Sequence, residues 1–181
     1  MSAHRFTSTG KVKKISNIHR DGFANIYSLV RQNKIDQALS LLIYPKSFRI
    51  KKEYSGDLNH AWYVVGDLYF KKNDFELALK SFYYSLKYNK NDHYALWAIG
   101  DCFVELKKDN LAENYYKKAV NVTPDPRILY NFSNSLFDQG KYFHAISIYK
   151  SIKTDDIELR RKINRNLSLA KEMVVKKKHT S

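Results

Sequence analysis

The spacing of apolar residues along the chain predicts helices that occur in pairs. Apolar side chains recur every three or four positions, and short polar segments separate the runs, as in helices with one buried face. The same set of apolar and small residues then returns at a fixed period: Ala78 and Ala112 lie 34 residues apart, and Ala112 and Ala145 lie 33 apart. The repeated positions are Trp62, Val65, Gly66, Tyr69, Ala78, Phe82 and Ser85, then Leu96, Ile99, Gly100, Phe103, Ala112, Tyr116 and Ala119, and more faintly Leu129, Phe132, Ser133, Leu136, Ala145, Tyr149 and Ile152. A period of about 34 residues is typical of stacked helical hairpins.

Glycines and turn residues support this pattern. A glycine inside a helix costs about 1 kcal/mol relative to alanine, so Gly66 and Gly100 at matching positions indicate that two helices approach closely there. Ser133 replaces the glycine in the third unit, which predicts looser packing. Residues that favour turns interrupt the apolar pattern at Asn33-Lys34, Asn73-Asp74, Lys108-Asp109-Asn110 and Gln139-Gly140.

With these residues in place, the chain resembles the tetratricopeptide repeat family. The match fills nearly every signature position from 59 to 126 and weakens from 126 to 159. The resemblance implies an all-α fold, a right-handed superhelical array of antiparallel helix pairs that ends in a C-terminal capping helix. Arrays of this kind display binding surfaces and seldom house chemistry.

The predicted organisation has three parts. Residues 1–20 form a basic, flexible arm, residues 21–175 form the helical repeat domain, and residues 176–181 form a basic tail. Within the domain we expect a degenerate unit at 21–43, repeats near 59–92, 93–126 and 126–159, and a capping helix near 155–175. An irregular insertion is predicted between Tyr44 and Asn59, where Pro45 and Gly56 break the pattern.

The resemblance also implies a peptide-binding groove. In such arrays the first helix of each pair lines the concave face, which here is rich in aromatic and aliphatic side chains with a thin acidic line. This chemistry suits an extended peptide with apolar anchors and a lysine or arginine. Alternatively, these aromatic residues pack against neighbouring helices or against the N-terminal segment. The candidate groove residues are Tyr63, Asp67, Phe70, Trp97, Asp101, Val104, Tyr130, Asn134 and Phe137.

Two subgroups of the family offer more specific comparisons. Cochaperones grip acidic C-terminal peptides with lysine, asparagine and arginine, but this chain has Tyr63 and Asp67 at the opening clamp positions, which disfavours an acidic tail in the groove. Type III secretion chaperones combine an N-terminal helical segment with three repeats and an apolar groove for a translocator peptide. The chain shares that architecture, although its pI of about 9.7 is unlike the acidic pI usual for that subgroup.

The net charge of +14 is concentrated at the two ends. Residues 1–20 carry five basic and no acidic side chains, and residues 160–181 carry eight basic and one acidic, whereas 21–159 are nearly balanced. The ends are therefore candidates for binding nucleic acid, anionic lipid or an acidic protein, or they only solubilise the chain. The candidate anion-binding residues are Arg160, Arg161, Lys162, Arg165, Lys176, Lys177 and Lys178.

Other function classes are disfavoured. The six histidines never stand four residues apart or cluster with the single Cys102, so metal-ligand spacing is missing, and we expect no enzyme activity, catalytic residue, metal or cofactor. No apolar run reaches the roughly 20 residues of a transmembrane helix, so a cytoplasmic location is expected. The composition of residues 1–20 also allows a transit peptide. A second copy of the chain is an alternative occupant of the concave face.

Overall fold

The computed structural model describes residues 21–179, which form consecutive helices with one small hairpin of strands. The elements, in chain order, are α1 Ala24–Arg31, α2 Ile35–Leu42, β1 Ile43–Tyr44, β2 Arg49–Ile50, α3 Leu58–Lys71, α4 Phe75–Tyr88, α5 His93–Glu105, α6 Asp109–Val122, α7 Pro126–Asp138, α8 Tyr142–Ser151 and α9 Ile157–His179. Short 3₁₀ helices at Asp21–Phe23 and Lys52–Asp57 precede α1 and α3. Each odd-numbered helix from α1 to α7 packs against the helix that follows it, so the predicted all-α array of antiparallel pairs is confirmed.

Each helix pair turns through one residue in the left-handed region. Asn33, Asn73, Lys107 and Gly140 have φ angles of 58°, 60°, 58° and 72° at equivalent places in the four hairpins. Asparagine and glycine tolerate this backbone conformation better than other residues. In the second repeat the left-handed residue is Lys107, directly before the predicted turn residues.

The close helix approach predicted from the glycines is confirmed. A Cβ atom at Gly66 would lie 2.5 Å from Phe82 Cε1, and a Cβ atom at Gly100 would lie 2.8 Å from Tyr116 Cε1. Both distances are shorter than carbon atoms tolerate without a shift, so the rings of α4 and α6 occupy the space of the missing side chains. In the third unit the Ser133 hydroxyl donates a hydrogen bond to the Leu129 carbonyl at 2.7 Å.

The insertion between α2 and α3 is more ordered than the sequence predicted. Strands β1 and β2 pair antiparallel, with Ile43 opposite Ile50, and the intervening turn contains Phe48 at a φ of 49°. The Phe48 ring lies 5.3 Å from Trp62 and 6.3 Å from Tyr84, measured between ring centroids. Because the Phe48 ring packs on α3 and α4, the insertion forms part of the folded domain.

The last helix closes the array and extends past its predicted end near residue 175. Leu159, Ile163 and Ala170 on α9 are buried in the same apolar core as α8, while the opposite side is exposed. No proline or glycine interrupts this segment, and Lys176 pairs with Glu172 at 2.6 Å on the exposed side, so the helix continues to His179. Within residues 21–179, no helix combines the length and apolar character needed to cross a membrane.

Candidate functional site

Three aspartates fix the starts of the helices that carry the predicted groove residues. Each stands just before the first helix of a repeat and uses its carboxylate as the N-cap, which satisfies backbone N–H groups that the helix leaves unpaired. Asp57, Asp92 and Asp125 accept the backbone N–H of His60, Tyr94 and Arg127 at 2.9, 3.1 and 2.8 Å. The three helices therefore begin at equivalent points.

The nine predicted groove residues, which we call the inner row, lie on α3, α5 and α7. Eight of them are buried, from Tyr130 and Asn134 with no exposed surface to Phe70 with 9%. Asp67 is the most accessible, with 15% of its side chain exposed. The inner row is thus a buried layer with one accessible carboxylate, and its part in binding stays a prediction.

The aromatic residues of the inner row pack against the second helices of their own units. Ring centroids lie 5.6 Å apart for Tyr63 and Phe82, and 5.3 Å apart for Phe70 and Phe75. In the third unit the pairs are Tyr130 with Tyr149 at 6.2 Å and Phe137 with Tyr142 at 5.3 Å. Contacts of this kind fix the ring positions before any ligand arrives.

A polar contact links the inner row to the second helix in two of the three units. The Tyr116 hydroxyl donates to Asp101 Oδ1 at 2.7 Å, and the Tyr149 hydroxyl donates to Asn134 Oδ1 at the equivalent position of the next unit. In the first unit Phe82 stands where these tyrosines stand, and it has no hydroxyl. The first unit therefore lacks the tyrosine hydroxyl that binds Asp101 in the second unit and Asn134 in the third.

Negative charge is concentrated around the Tyr63 hydroxyl. Burial raises the pKa of Tyr63 well above its ordinary value, and the nearby carboxylates of Asp67, Asp92 and Asp101 raise the pKa further. Asp67 also contributes to the raised pKa of Tyr27 on α1, where burial is the larger cause. The centre of the inner row therefore favours a cation over an anion.

Helix α9 covers the third-unit end of the inner row. The Asn166 side-chain amide donates to the Tyr130 hydroxyl at 2.9 Å and to Asn134 Oδ1 at 2.9 Å. Asn131 in turn donates to Asp101 Oδ1 at 3.4 Å. This network joins α5, α7 and α9, and it leaves the α3 end, with Asp67, as the more accessible part.

Trp97 shows a feature that the sequence did not predict. Its side chain is 1% exposed, and its indole Nε1 has no hydrogen-bond partner among the residues that the structure describes. Leaving a buried donor unsatisfied costs about 1–3 kcal/mol. Spacing alone placed Trp97 on α5, but it could not reveal the orientation of its N–H group.

Other residues missed at the sequence level are Asp92 and Asn166. Asp92 directly precedes a repeat helix, a position where aspartate commonly caps, and that signal could have identified it. Asn166 lies on the buried side of α9 among apolar residues, and an isolated asparagine there is a weak signal for a network between helices.

The predicted anion-binding residues lie along α9. Arg160, Arg161 and Arg165 are exposed, and Arg160 donates to the Thr154 carbonyl. Lys162 and Lys176 pair with Glu158 and Glu172, each at 2.6 Å. Lys177 is exposed, while the side chain of Lys178 and residues 1–20 fall outside the described part of the chain.

Among residues 21–179, no three histidine, cysteine, aspartate or glutamate side chains form a group that could hold a metal ion. Cys102 is buried, and its burial raises the pKa of the thiol far above its usual range. A thiol in that environment is a poor nucleophile because the reactive form is the thiolate.

Comparison with known families supports the repeat assignment. The tetratricopeptide repeat model matches residues 60–92 and 93–126, the segments that contain the α3/α4 and α5/α6 pairs. No curated protein matches the chain in sequence.

Solved structures share the fold at low sequence identity. MamA from Desulfovibrio magneticus RS-1, from residue 41 to its end, is 16% identical with a TM-score of 0.63, over 89% of this chain and 93% of that one. MamA of AMB-1 is 17% identical with a TM-score of 0.60, over 85% and 87%. YrrB is 20% identical with a TM-score of 0.58, over 85% of each chain. These likenesses extend the fold resemblance well beyond residues 60–126.

Proposed function

Because its two central helix pairs are tetratricopeptide repeats, a module that binds proteins and peptides, we propose that this chain is a non-enzymatic scaffold that binds an extended, basic peptide along its inner row. The observation behind this proposal is that the carboxylates of Asp67, Asp92 and Asp101 all raise the pKa of Tyr63 in addition to the effect of its burial, while Asp67 is the accessible carboxylate of the row. A lysine or arginine of the ligand would neutralise this negative charge. Among the structural neighbours, YrrB is described as a TPR protein with an unusual peptide-binding site.

Two further features of the inner row support the proposal. Asp67 is the accessible carboxylate of the row and lies 3.9 Å from Lys71, a weak ion pair that an incoming cation can replace. The buried Trp97 N–H has no hydrogen-bond partner among the described residues, so a ligand carbonyl that reached it would satisfy this donor. Binding therefore begins at the α3 end, where Asp67 is accessible.

Selection from a random peptide library tests this proposal. Peptides that bind the wild-type protein should be enriched in lysine and arginine next to aliphatic residues. Asp67→Lys reverses the accessible charge, and we expect the selected peptides to bind this variant at least about tenfold more weakly.

Glu105→Lys is the matched control, because Glu105 is exposed and lies outside the inner row on α5. It makes the same charge change and should leave affinity unaltered. Equal affinity for wild type and Asp67→Lys, or an equal loss in both variants, would overturn the proposal. Enrichment of purely apolar peptides that bind independently of Asp67 would instead favour the secretion-chaperone alternative.

Helix α9 supports a second candidate function, the binding of acidic surfaces or nucleic acid. Arg160, Arg161 and Arg165 are exposed on neighbouring turns of α9. Binding of a single-stranded oligonucleotide should then fall steeply with added salt and weaken when the three arginines become glutamine. Affinity that is unchanged in this triple variant would eliminate the candidate.

A further inference from the structure

A second concave surface lies on the other side of the repeats, between α4 and the start of α6. It is an open depression with a volume of about 610 Å³. We call it the outer groove and define it by its apolar wall of Leu79, Tyr83, Tyr84 and Phe103, and by its basic rim of Lys80, Lys87 and Lys108. Neither the sequence pattern nor the family comparison assigns a role to this surface.

The apolar wall of the outer groove is held rigidly by ring contacts. Tyr84 stacks on Trp62 with ring centroids 4.6 Å apart, and Phe103 lies 5.6 Å from Tyr115. Leu79 and Phe103 form the buried floor, whereas Tyr83 is 41% exposed. A preformed apolar surface loses little conformational entropy when a side chain packs on it, which favours an anchor residue of a partner.

The rim of the outer groove is basic. Three lysines line it against one glutamate, Glu76. The lysine side chains also lie over aromatic rings, with Lys80 Nζ 4.3 Å from the Phe48 ring centroid and Lys87 Nζ 5.6 Å from the Tyr84 centroid. These contacts hold positive charge beside the apolar recess, so the groove complements a ligand that is negative around an apolar residue.

We propose that the outer groove binds an acidic peptide segment through a leucine or aromatic anchor flanked by aspartate or glutamate. Single-stranded nucleic acid fits less well, because base stacking needs a free ring face. Tyr84 stacks on Trp62 with one face and has Lys87 Nζ 5.6 Å from its ring centroid, and Tyr83 meets Tyr115 at 6.1 Å and 70°. The outer groove would thus recruit a partner whose charge is opposite to that of the inner-row ligand.

The test is a selection from a random peptide library in which binders are eluted with salt and sequenced. We expect a class with aspartate and glutamate around a leucine or phenylalanine. The double variant Lys80→Glu with Lys87→Glu should bind this class at least about tenfold more weakly, and Tyr83→Ala should weaken it through loss of the anchor wall.

The charge-matched control is Lys150→Glu with Lys153→Glu, since both lysines are exposed and outside the outer groove. This control and Asp67→Lys should retain the acidic peptides. Tyr83→Ala gives an independent result if the double variant does not fold, because Tyr83 is largely exposed. The proposal is overturned by equal losses in the control, by the absence of an acidic class, or by a single-stranded oligonucleotide that binds the groove in place of the peptides.

Discussion

The inner row and the outer groove are built from the same helix pairs but have opposite chemistry. The inner row is acidic, nearly all buried and linked by hydrogen bonds between helices, whereas the outer groove is basic at its rim, apolar at its floor and open. The difference follows from the geometry of the helical hairpins. One side of each second helix packs on the first helix, and the opposite side is exposed to solvent. The net charge of residues 21–159 is therefore close to zero although this segment has two surfaces of opposite charge.

The two surfaces also differ in how much their side chains contribute to the stability of the fold. Side chains of the inner row contribute to the core, so their replacement should affect folding as well as binding. Side chains of the outer groove rim touch the core little, so their replacement should affect binding alone. Four predictions, in order of decreasing effect on stability, concern the inner row, the helix contacts behind it and a surface ion pair outside both surfaces.

Trp97→Ala should have the largest effect on stability. Its side chain is 1% exposed, and truncating a buried tryptophan costs about 3–5 kcal/mol of folding free energy. Tyr83→Ala in the outer groove is the matched comparison and should cost no more than about 1 kcal/mol. Urea denaturation followed by circular dichroism measures both. Similar losses of folding free energy in the two variants would contradict the proposed difference between the inner row and the outer groove.

Gly66→Val should be the next most destabilising, by about 2–3 kcal/mol. The valine side chain would collide with the Phe82 ring, whose nearest atom lies 2.5 Å from the Cβ position. The Phe82 ring in turn contacts Tyr63 of the inner row. Because α4 also carries Tyr83, this change should disturb both surfaces together. Gly56→Ala, where a Cβ atom would meet open space, serves as the control in the same thermal unfolding experiment. A Gly66→Val protein as stable as that control would show that the helices can separate freely.

Tyr116→Phe should cost about 1–2 kcal/mol, because it removes the hydroxyl that donates to buried Asp101. The change gives the second unit the arrangement that Phe82 gives the first. Phe82→Tyr makes the reverse change and should hold Asp67 more firmly, so basic peptides should bind it more weakly. Chemical denaturation and peptide titration of both variants measure these effects. If Tyr116→Phe is as stable as the wild type, the hydrogen bond to Asp101 does not stabilise the fold.

Glu113→Gln should have the smallest effect, about 0.5–1 kcal/mol, since Glu113 pairs with the partly exposed Lys117 and Lys141 at 2.7 and 2.8 Å. Hydrogen bonds from these lysines lower the pKa of Glu113. Its contribution is therefore present above the ordinary glutamate pKa of about 4.3 and is lost as the pH falls through the lowered value. Melting curves of wild type and variant should converge at acidic pH. A constant difference at every pH would contradict the pairing.

Periodicity predicted the fold well because helix pairing depends on local, repeated features. Gly66 and Gly100 identified the close approach of helices, and the turn residues identified where each hairpin reverses, within one residue at Lys107. The insertion was less predictable, because the contact of Phe48 with Trp62 joins residues that share no repeat position.

The candidate site was predicted only in part. Repeat spacing placed Tyr63, Trp97 and Tyr130 on equivalent first helices, but burial depends on neighbours that spacing does not specify, such as Asn166 on α9. The outer groove had no sequence signal at all, because Tyr83 and Phe103 meet only after α4 and α5 are packed together.

The most direct test of the account is a crossed titration of two selected peptides, one basic and one acidic, against two variants. Asp67→Lys should lose the basic peptide and keep the acidic one, and Lys80→Glu with Lys87→Glu should do the reverse. If both variants lose the same peptide, or if neither variant loses any, the two surfaces do not act as separate binding sites of opposite charge.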